Sequence, residues 1–581
     1  MLPPEVLRIV LLIGLAATGY MMILAWNDDR QQTRAPVEYS DNPVVVDGAA
    51  NPDISADIPT NAAAVETQRT ASASDVPDAS LLDDTPTVVT PAQIEQTSQG
   101  RLVRVSTQAL NVWIDLEGGD IARVQLKGYP VSLEQPDVPY QLLERSAGRT
   151  YVAQSGLIGD DGLDSAGRPL FNAESDRFEV LSGEREIVLT TTFRNLTVSK
   201  IFTFRADDHL VDVRYEMPNT SAVPLKAAMF AQIKRDARPP SSDESFALAP
   251  QPFLGAAYTT VEERYFKVDF EDVDDRDPDI DQAFQSRVEG GWIAFLQHYF
   301  LSAWVAQPEW ATKYYASKTA DGHYRFGFTS PVQSVAPGET GVWRSQFYAG
   351  PKDQKRLEEI APNLNLTIDY GFLWWLAIPL FLLLDWLHGL VGNWGIAIIL
   401  LTVVVKAILY PLSAAGYKSM ANMRRVAPQL KKIQERYAND REKLSREMMA
   451  LYKKEGANPL GGCLPMLLPM PIFIALYWVL FESVELRQAP FFFWIEDLAQ
   501  MDPYFILPLL MGASTYWMQS LNPQVGDPMQ QKMMKMMPIM FTVLFLFFPA
   551  GLVLYWLINN VLSIAQQQFV YKQAEKAQAS A

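Results

Sequence analysis

Residues 392–411 read GNWGIAIILLTVVVKAILYP, and we interpret the rest of the chain outward from them. The stretch is an apolar run of membrane-spanning length that contains one lysine, Lys406, with Thr402 one helical turn before it. At a rise of about 1.5 Å per residue, Lys406 lies roughly 20 Å along the helix from Asn393, in a hydrocarbon layer about 30 Å thick. An ammonium there costs at least a few kcal/mol unless it meets water, a counter-charge or the interface. Lys406 therefore either snorkels to the nearer surface or marks a functional site.

The composition argues against several classes of protein. The chain has 581 residues, is 49% hydrophobic and carries a formal net charge of −17, which argues against nucleic acid as a direct substrate. A single cysteine, Cys463, excludes an internal disulfide framework and a cysteine-based zinc site, and four histidines argue against a histidine-rich metal site. The sequence has no Walker-type phosphate loop. We therefore expect no cofactor and no metal.

The first hundred residues predict an anchor and a linker. Residues 9–26 are apolar and are followed by Asn27-Asp28-Asp29, with no small-x-small cleavage site before the polar flank. We interpret 1–27 as an uncleaved transmembrane anchor, a cleaved signal peptide being the alternative. Residues 28–100 are rich in Ala, Pro, Asp, Thr and Ser and poor in aromatics, which predicts a disordered periplasmic linker.

Residues 101–365 predict an all-β domain. Short stretches such as 111–116 (NVWIDL) and 210–215 (LVDVRY) alternate apolar and polar residues and are separated by Gly, Pro and Asn turns, as in a large β-sandwich. Trp292, Tyr299, Trp304 and Trp310 could line a sugar-binding cleft, but we favour core packing for them. This domain is expected in the periplasm.

The loop charges set the predicted topology. Residues 412–457 contain eleven Lys or Arg against five acids and should stay in the cytoplasm, whereas 482–503 contain one Arg against five acids. Residues 366–391 include an aromatic-rich apolar stretch. If this stretch crossed the membrane, the basic segment 412–457 would lie outside, on the same side as the β-domain. We therefore predict an interfacial periplasmic helix there, and a span at 392–411 that runs from outside to inside.

Six transmembrane helices are predicted in total, five of them in a core over residues 392–581. They cover 9–26, 392–411, 464–481, 504–518, 536–548 and 551–569. Both termini are then cytoplasmic, and a short basic turn with Lys532 and Lys535 is also inside. The spans at 504–518 and 536–548 are short enough to thin the bilayer.

Polar residues within the spans predict a wet groove. Asn559 and Asn560 lie in the last span, and Gln519 follows the span at 504–518. Such side chains normally face other helices or water. A hydrophilic groove open to the cytoplasm would hydrate Lys406, for which no intramembrane acid stands out as a fixed partner.

The cytoplasmic segment 412–457 predicts a helical hairpin. Met423, Val426, Leu430 and Ile433 follow helical spacing, as do residues 444, 448 and 451 after a turn, and Pro428 should kink the first helix. A solvated hairpin is the simplest interpretation, but the basic surface and exposed methionines also suit anionic lipid or flexible polypeptide. The residues concerned are Arg424, Arg425, Lys431, Lys432, Met420 and Met449.

Several motifs resemble the YidC/Oxa/Alb family of membrane insertases. They are NPLGGC at 458–463, PIF at 471–473, VELRQAPF at 484–491, DPMQQ at 527–531 and GLVLY at 551–555. The anchor and outer β-domain resemble the Gram-negative form. The resemblance implies a five-span core with a groove open to lipid and cytoplasm, and a β-supersandwich similar to sugar-mutarotase folds. It places Lys406 where the family has a groove arginine, and Thr402, Met470, Phe473, Tyr555 and Trp556 along the substrate path.

The expected function is insertion of new membrane proteins into the bacterial inner membrane, alone or with the Sec translocon, without enzymatic chemistry. The hairpin would receive clients, ribosomes or targeting factors. Two other classes stay open at this stage. One is a transporter or channel that uses Lys406, and the other is a mutarotase-like enzyme built on His209, Glu216 and His298, whose spacing is not diagnostic.

Overall fold

The computed structural model of the protein describes most of the chain beyond residue 100. The described residues are 76–77, 101–146, 148–239, 252–260, 264–275, 284, 287–437, 440–455, 469–521 and 528–579. The predicted anchor and nearly all of the predicted linker lie outside them. Two linker residues are described, and they contradict uniform disorder: Pro77 is buried, and Val76 packs on Ile158 and Phe230 while its carbonyl accepts from Arg325 (3.0 Å). Apolar contact and one charge-assisted hydrogen bond hold them.

Two sheets form the predicted β-domain. The first pairs its strands in the order β14-β17-β18-β11-β5-β4-β3-β2-β1-β7, with β19 beside β11. The strands are β1 (Leu102–Thr107), β2 (Leu110–Asp115), β3 (Asp120–Ser132), β4 (Gln135–Ser146), β5 (Arg149–Ile158), β7 (Arg177–Val180), β11 (Leu225–Arg235), β14 (Arg287–Glu289), β17 (Ala311–Lys318), β18 (Tyr324–Thr329) and β19 (Gln333–Val335). The β1–β7 pair is parallel and the others are antiparallel.

The second sheet has the order β13-β12-β15-β16-β20-β10-β9-β8-β6 and is antiparallel. Its strands are β6 (Asn172–Ala173), β8 (Glu184–Phe193), β9 (Leu196–Arg205), β10 (Leu210–Pro218), β12 (Gly255–Tyr258), β13 (Phe266–Val268), β15 (Trp292–Leu296), β16 (Phe300–Val305) and β20 (Thr340–Pro351). Buried residues alternate along β8 and β10, as the period-two pattern predicted.

The sheets pack face to face around one apolar core. The Tyr151 hydroxyl on β5 is 2.8 Å from the Ser302 hydroxyl on β16, and the Trp304 indole donates to the Gln232 carbonyl across the same space. Trp292, Trp304 and Trp310 are buried, which confirms the packing interpretation over a sugar cleft for these three side chains.

Among the described residues, two short helices lie in the β-domain and eight follow it. They are α1 (Phe270–Asp275), α2 (Gln354–Ile360), α3 (Trp374–Val391), α4 (Trp394–Ile408), α5 (Tyr410–Arg436), α6 (Arg441–Glu455), α7 (Met470–Glu482), α8 (Ile506–Ser520), α9 (Pro528–Phe545) and α10 (Ala550–Ala579).

The span that begins the core is shorter than predicted. Gly392 ends α3 in the left-handed region (φ 67°), which glycine adopts without strain, and the Asn393 side chain caps α4 by accepting from the Ile396 amide. Helix α4 ends at Ile408, and α5 leaves at an angle of 68°. Pro411 in the first turn of α5 has no N–H to continue the α4 hydrogen bonds, so the helix expected over 392–411 is broken after Ile408, while the span itself stays a prediction.

Two later helices also differ from their predictions. Helix α9 has 18 residues and includes Lys532 and Lys535, so the predicted basic turn is helical, while the short span at 536–548 stays a prediction. Helix α10 has 30 residues and continues well beyond residue 569. The predicted bounds differ because the polar residues at the start of α9 and at the end of α10 continue these helices instead of ending them. Helix α8, with 15 residues, is short as expected.

The predicted hairpin is present as α5 and α6. Met423, Val426 and Leu430 pack against Leu451 and Tyr452, and Arg425 pairs with Glu455 (3.0 Å), so the helices are antiparallel. Helix α5 runs through Pro428 as one element.

Two segments pass a test for membrane crossing that considers only length and hydropathy. One is residues Gly371–Val391, and the other is the bent pair α4 and α5; α7 is a shorter apolar helix. The apolar segment at 371–391 contains the helix that we placed in the outer interface, and its exposed face carries Phe372, Trp374, Trp375 and Trp386. The count of six spans stays a prediction.

Candidate functional site

A polar stripe follows one face of α10. It consists of Asn559, Asn560, Ser563 and Gln567, all nearly buried; Asn559, Ser563 and Gln567 are four residues apart and share one side of the helix, with Asn560 next to them. In an otherwise apolar bundle these side chains need hydrogen-bond partners from neighbouring helices or water, since unsatisfied polar groups are costly there.

Lys406 on α4 meets this stripe. Its Nζ donates to the Ser563 hydroxyl (2.7 Å), which donates in turn to the Asn559 carbonyl (2.6 Å). The side chain is half-buried, and within the described part of the chain the structure gives it no carboxylate partner. An ammonium satisfied by one hydroxyl keeps two donors for another acceptor. The arrangement suits a positive charge that meets a transient anion.

Helix α8 completes the polar interior. Nδ2 of Asn560, which is fully buried, donates to the hydroxyls of Ser514 (3.0 Å) and Thr515 (2.8 Å). Both hydroxyls also donate to the Met511 carbonyl. The Asn560 Oδ1 atom is buried and has no hydrogen-bond partner among the described residues. Sequence analysis did not identify this contact, because Ser514 and Asn560 are 46 residues apart.

The aromatic positions of the expected substrate path cluster beside the stripe. Phe473 on α7 meets Trp556 edge to face (4.5 Å between centroids) and stacks near Tyr555 (6.5 Å), with Phe545 of α9 on the other side. Tyr555 is buried, whereas Met470 at the start of α7 is exposed. Contact of these residues with a client stays a prediction.

Two expected groove residues make contacts within or between helices. Thr402 is 1% exposed and donates to the Ile398 carbonyl of its own helix (2.7 Å). Gln519 at the end of α8 donates to the Met534 carbonyl of α9 (2.7 Å). Thr402 therefore lies beneath the surface, and Gln519 links two helices away from the Lys406–Ser563 contact.

Most hairpin residues are exposed as expected, with one exception. The basic side chains of Arg424, Arg425, Lys431 and Lys432 are exposed, and so is Met449. Met420 is only 8% exposed because it packs with Tyr417 and with Val570 and Tyr571 of α10, so its predicted exposure was wrong. The long α10 covers this methionine, which sequence periodicity within α5 does not reveal.

The candidate enzyme residues are engaged in other contacts. Glu216 accepts from Arg214 (3.0 Å), and His298 contacts the Phe481 carbonyl (2.9 Å). His209 packs against Tyr129 and Tyr348. In the described part of the chain, no three His, Cys, Asp or Glu side chains come together as metal ligands do.

These features define a class of protein: an apolar helical bundle with a polar interior, joined to a large β-sandwich. Comparison with known families is specific. Residues 386–577 match the model of the 60Kd inner membrane protein, and residues 102–383 match the YidC periplasmic domain. The chain belongs to the YidC family of membrane protein insertases.

Similar relatives cover the whole chain. It is 47% identical over 578 residues to the membrane protein insertase YidC of Cellvibrio japonicus, with 98% of this chain and 99% of that protein covered. It is 45% identical to the membrane protein insertase YidC of Pseudomonas fluorescens, with 99% of each covered. A solved active YidC insertase is 19% identical, with 82% of this chain and 93% of that chain covered and a TM-score of 0.35; a TM-score that low supports no structural conclusion.

Proposed function

We propose that the protein is a membrane protein insertase of the bacterial inner membrane, and not an enzyme. Full-length relatives with that name and the two family matches support the activity. The observation on which the mechanism rests is the half-buried Lys406, joined to Ser563 and without a carboxylate partner among the described residues.

The proposed mechanism uses no covalent step. A hydrophilic segment of a new membrane protein enters from the cytoplasm, and Lys406 attracts its carboxylates. The two donors that the Lys406 ammonium keeps replace part of the hydration that the carboxylates of the segment lose, which lowers the cost of carrying them into the bilayer. The apolar part of the client moves along α4 and α7 into lipid, driven by the hydrophobic effect.

The topology belongs to the same proposal. The β-sandwich lies in the periplasm, both termini lie in the cytoplasm, and six helices cross the membrane while α3 lies in the outer interface. Loop charge supports this orientation. The basic surface of α5 and α6 would receive ribosomes, targeting factors or clients, and the Sec translocon is a further partner in the proposal. Labelling of single cysteines placed in 482–503 and in α6 tests the orientation: only the first should react from outside.

A matched pair of Lys406 variants tests the mechanism. Lys406→Ala should reduce insertion of a client with an acidic translocated segment about tenfold, the equivalent of about 1.4 kcal/mol, because a partly desolvated attraction is lost. Lys406→Arg should restore insertion, and a client with a neutral segment should be little affected by either change. The assay is protease protection of clients inserted into proteoliposomes. Equal loss for acidic and neutral clients would contradict the electrostatic role.

A further inference from the structure

A cavity of about 780 Å³ lies between the β-sandwich and one end of the helical bundle. The wall on the β side comes from residues 131–134, at the end of β3 and in the turn after it, and from residues 298–300, which lead into β16. The opposite wall comes from the end of α7, the loop 487–504 and the turn before α10. In the proposed topology these helix ends lie at the outer surface of the membrane. The position of the cavity relative to the bilayer therefore rests on the proposed function.

Exposed aromatic side chains belong to the loop that lines this cavity. Phe492, Phe493 and Tyr504 are 49%, 93% and 66% exposed, and Tyr504 lines the cavity itself. Large aromatic side chains left exposed at the ends of apolar helices are typical of the headgroup region of a bilayer. The cavity therefore opens where lipid headgroups are the most abundant small ligands.

Arg487 supplies an anion site on the cavity wall. Its Nη2 atom donates to the carbonyls of Pro130 (2.7 Å) and Val131 (3.1 Å), and its guanidinium lies near the ring of Phe300. Among the described residues the hydrogen bonds of this side chain use Nη2 alone, which leaves the Nε and Nη1 donors. Nε and Nη1 lie on different sides of the guanidinium, so each can give a phosphate oxygen one charge-assisted hydrogen bond while the positive charge attracts the group.

Carboxylates and an indole supply a cation site on the same wall. Glu496 is exposed, Asp497 is half-buried, and both line the cavity with Trp494. Asp497 accepts from the Ala499 amide (2.8 Å), which holds its carboxylate in place. A primary ammonium binds well between carboxylates and an aromatic face.

We propose that this cavity binds the headgroup of a zwitterionic amino-phospholipid of the phosphatidylethanolamine class, with the phosphate at Arg487 and the ammonium at Glu496 and Asp497. Charge separates this occupant from a translocated client segment. Clients attracted by Lys406 carry acidic segments, whereas the cavity is lined by three carboxylates, Glu134 included, and by one guanidinium. An acidic segment is repelled there, and an amine-bearing headgroup is not.

Lipid retention tests the proposal on the full-length protein. The protein is reconstituted in nanodiscs that hold equal amounts of phosphatidylethanolamine and phosphatidylglycerol, and bound lipid is measured by native mass spectrometry after mild extraction. Wild type should retain phosphatidylethanolamine in about fivefold preference. Glu496→Gln should lower that preference about threefold, as expected for one exposed ion pair, whereas Glu309→Gln, an exposed carboxylate of the β-domain that does not line the cavity, should leave it unchanged.

Three results would overturn the proposal. The first is equal retention of both lipids by wild type, and the second is an unchanged preference in Glu496→Gln. The third is a photoreactive residue at position 504 that forms adducts with a client and none with lipid, which would assign the cavity to the client. Glu496→Gln is preferred over Arg487 variants because Arg487 also holds the end of β3 through the carbonyls of Pro130 and Val131. Lipid retention is measured without a client, so failure of the Lys406 insertion test would leave this result standing, and the reverse also holds.

Discussion

Arg168 holds a group of buried charges between the two sheets. Its side chain is 2% exposed and donates to Asp164 (2.5 Å), to Asp120, and to the Ser155 carbonyl (3.0 Å). Lys200 is fully buried beside it and donates to the Gly118 carbonyl (3.0 Å). Burial raises the pKa of Asp164 to about 6 and lowers the pKa of Lys200 to about 7, because low polarity disfavours each charged form.

Removal of this guanidinium should destabilise the β-sandwich strongly. Arg168→Met leaves two buried carboxylates with one cation, and we expect a loss of about 3–5 kcal/mol in the free energy of unfolding. Arg194→Met is the control, since Arg194 is 58% exposed in its pair with Asp161 and should cost at most about 1 kcal/mol. Denaturant titration followed by near-UV circular dichroism measures both. Similar small losses in the two variants would mean that the buried group contributes little.

At the scale of elements, the α5–α6 hairpin depends on a narrow apolar seam. Leu430 is 2% exposed and packs between the helices. Leu430→Ala should cost about 2–3 kcal/mol and speed amide exchange in α6 by about thirtyfold or more, because few other contacts hold that helix. Lys431→Ala, an exposed neighbour, should leave the exchange rates unchanged. Equal exchange in the two variants would show that α6 is held by something other than this seam.

The short 3₁₀ helix Val484–Leu486 should make stability depend on pH. Burial, with Asp353 and Asp385 nearby, raises the pKa of Glu485 from 4.5 to about 7. Between these values the folded protein holds a proton that the unfolded chain has lost, so stability falls as pH rises and the loss is complete above about pH 7. Glu485→Gln should remove at most about 3 kcal/mol of this fall. Melting temperatures at pH 5 and pH 8 check it; an unchanged difference in the variant contradicts the assignment.

At the scale of the whole molecule, polar contacts join the β-sandwich to the bundle, and one of them is a buried ion pair. Lys352 pairs with Glu482 at the end of α7 (3.2 Å), both nearly buried, and His298 contacts the Phe481 carbonyl. Burial and the nearby Lys352 charge lower the pKa of His298 to about 3, so it stays neutral. Arg487 binds the carbonyls of 130 and 131. The β-domain is therefore fixed on the core and not merely tethered.

Loss of the ion pair should uncouple the two parts. Lys352→Met leaves Glu482 buried and unpaired, which costs about 3–5 kcal/mol and should make the loop at 487–505 more sensitive to protease. Lys355→Met is the matched control, because Lys355 is 71% exposed in its pair with Asp385. Cleavage rates of the intact protein in detergent compare them. Equal rates would show that the buried pair does not hold the junction.

The sequence alone determined the features that local pattern carries. Alternation with period two predicted the strands, apolar length predicted the helices, and motifs from residue 458 onward indicated the family. The predicted ends of the helices were the least accurate. Whether Pro411, or the polar residues flanking α9 and α10, end a helix depends on how the helices pack.

Only the tertiary structure decided which side chains meet. Lys406 and Ser563 are 157 residues apart, and Asp120 at the start of β3 pairs with Arg168, which is 48 residues away in the sequence. The burial of Met420 under α10 and the cavity beneath the β-sandwich are likewise set by elements that are distant in sequence. A periodic pattern specifies which face of an element is buried but not what covers it, since that choice belongs to the packing of the whole chain.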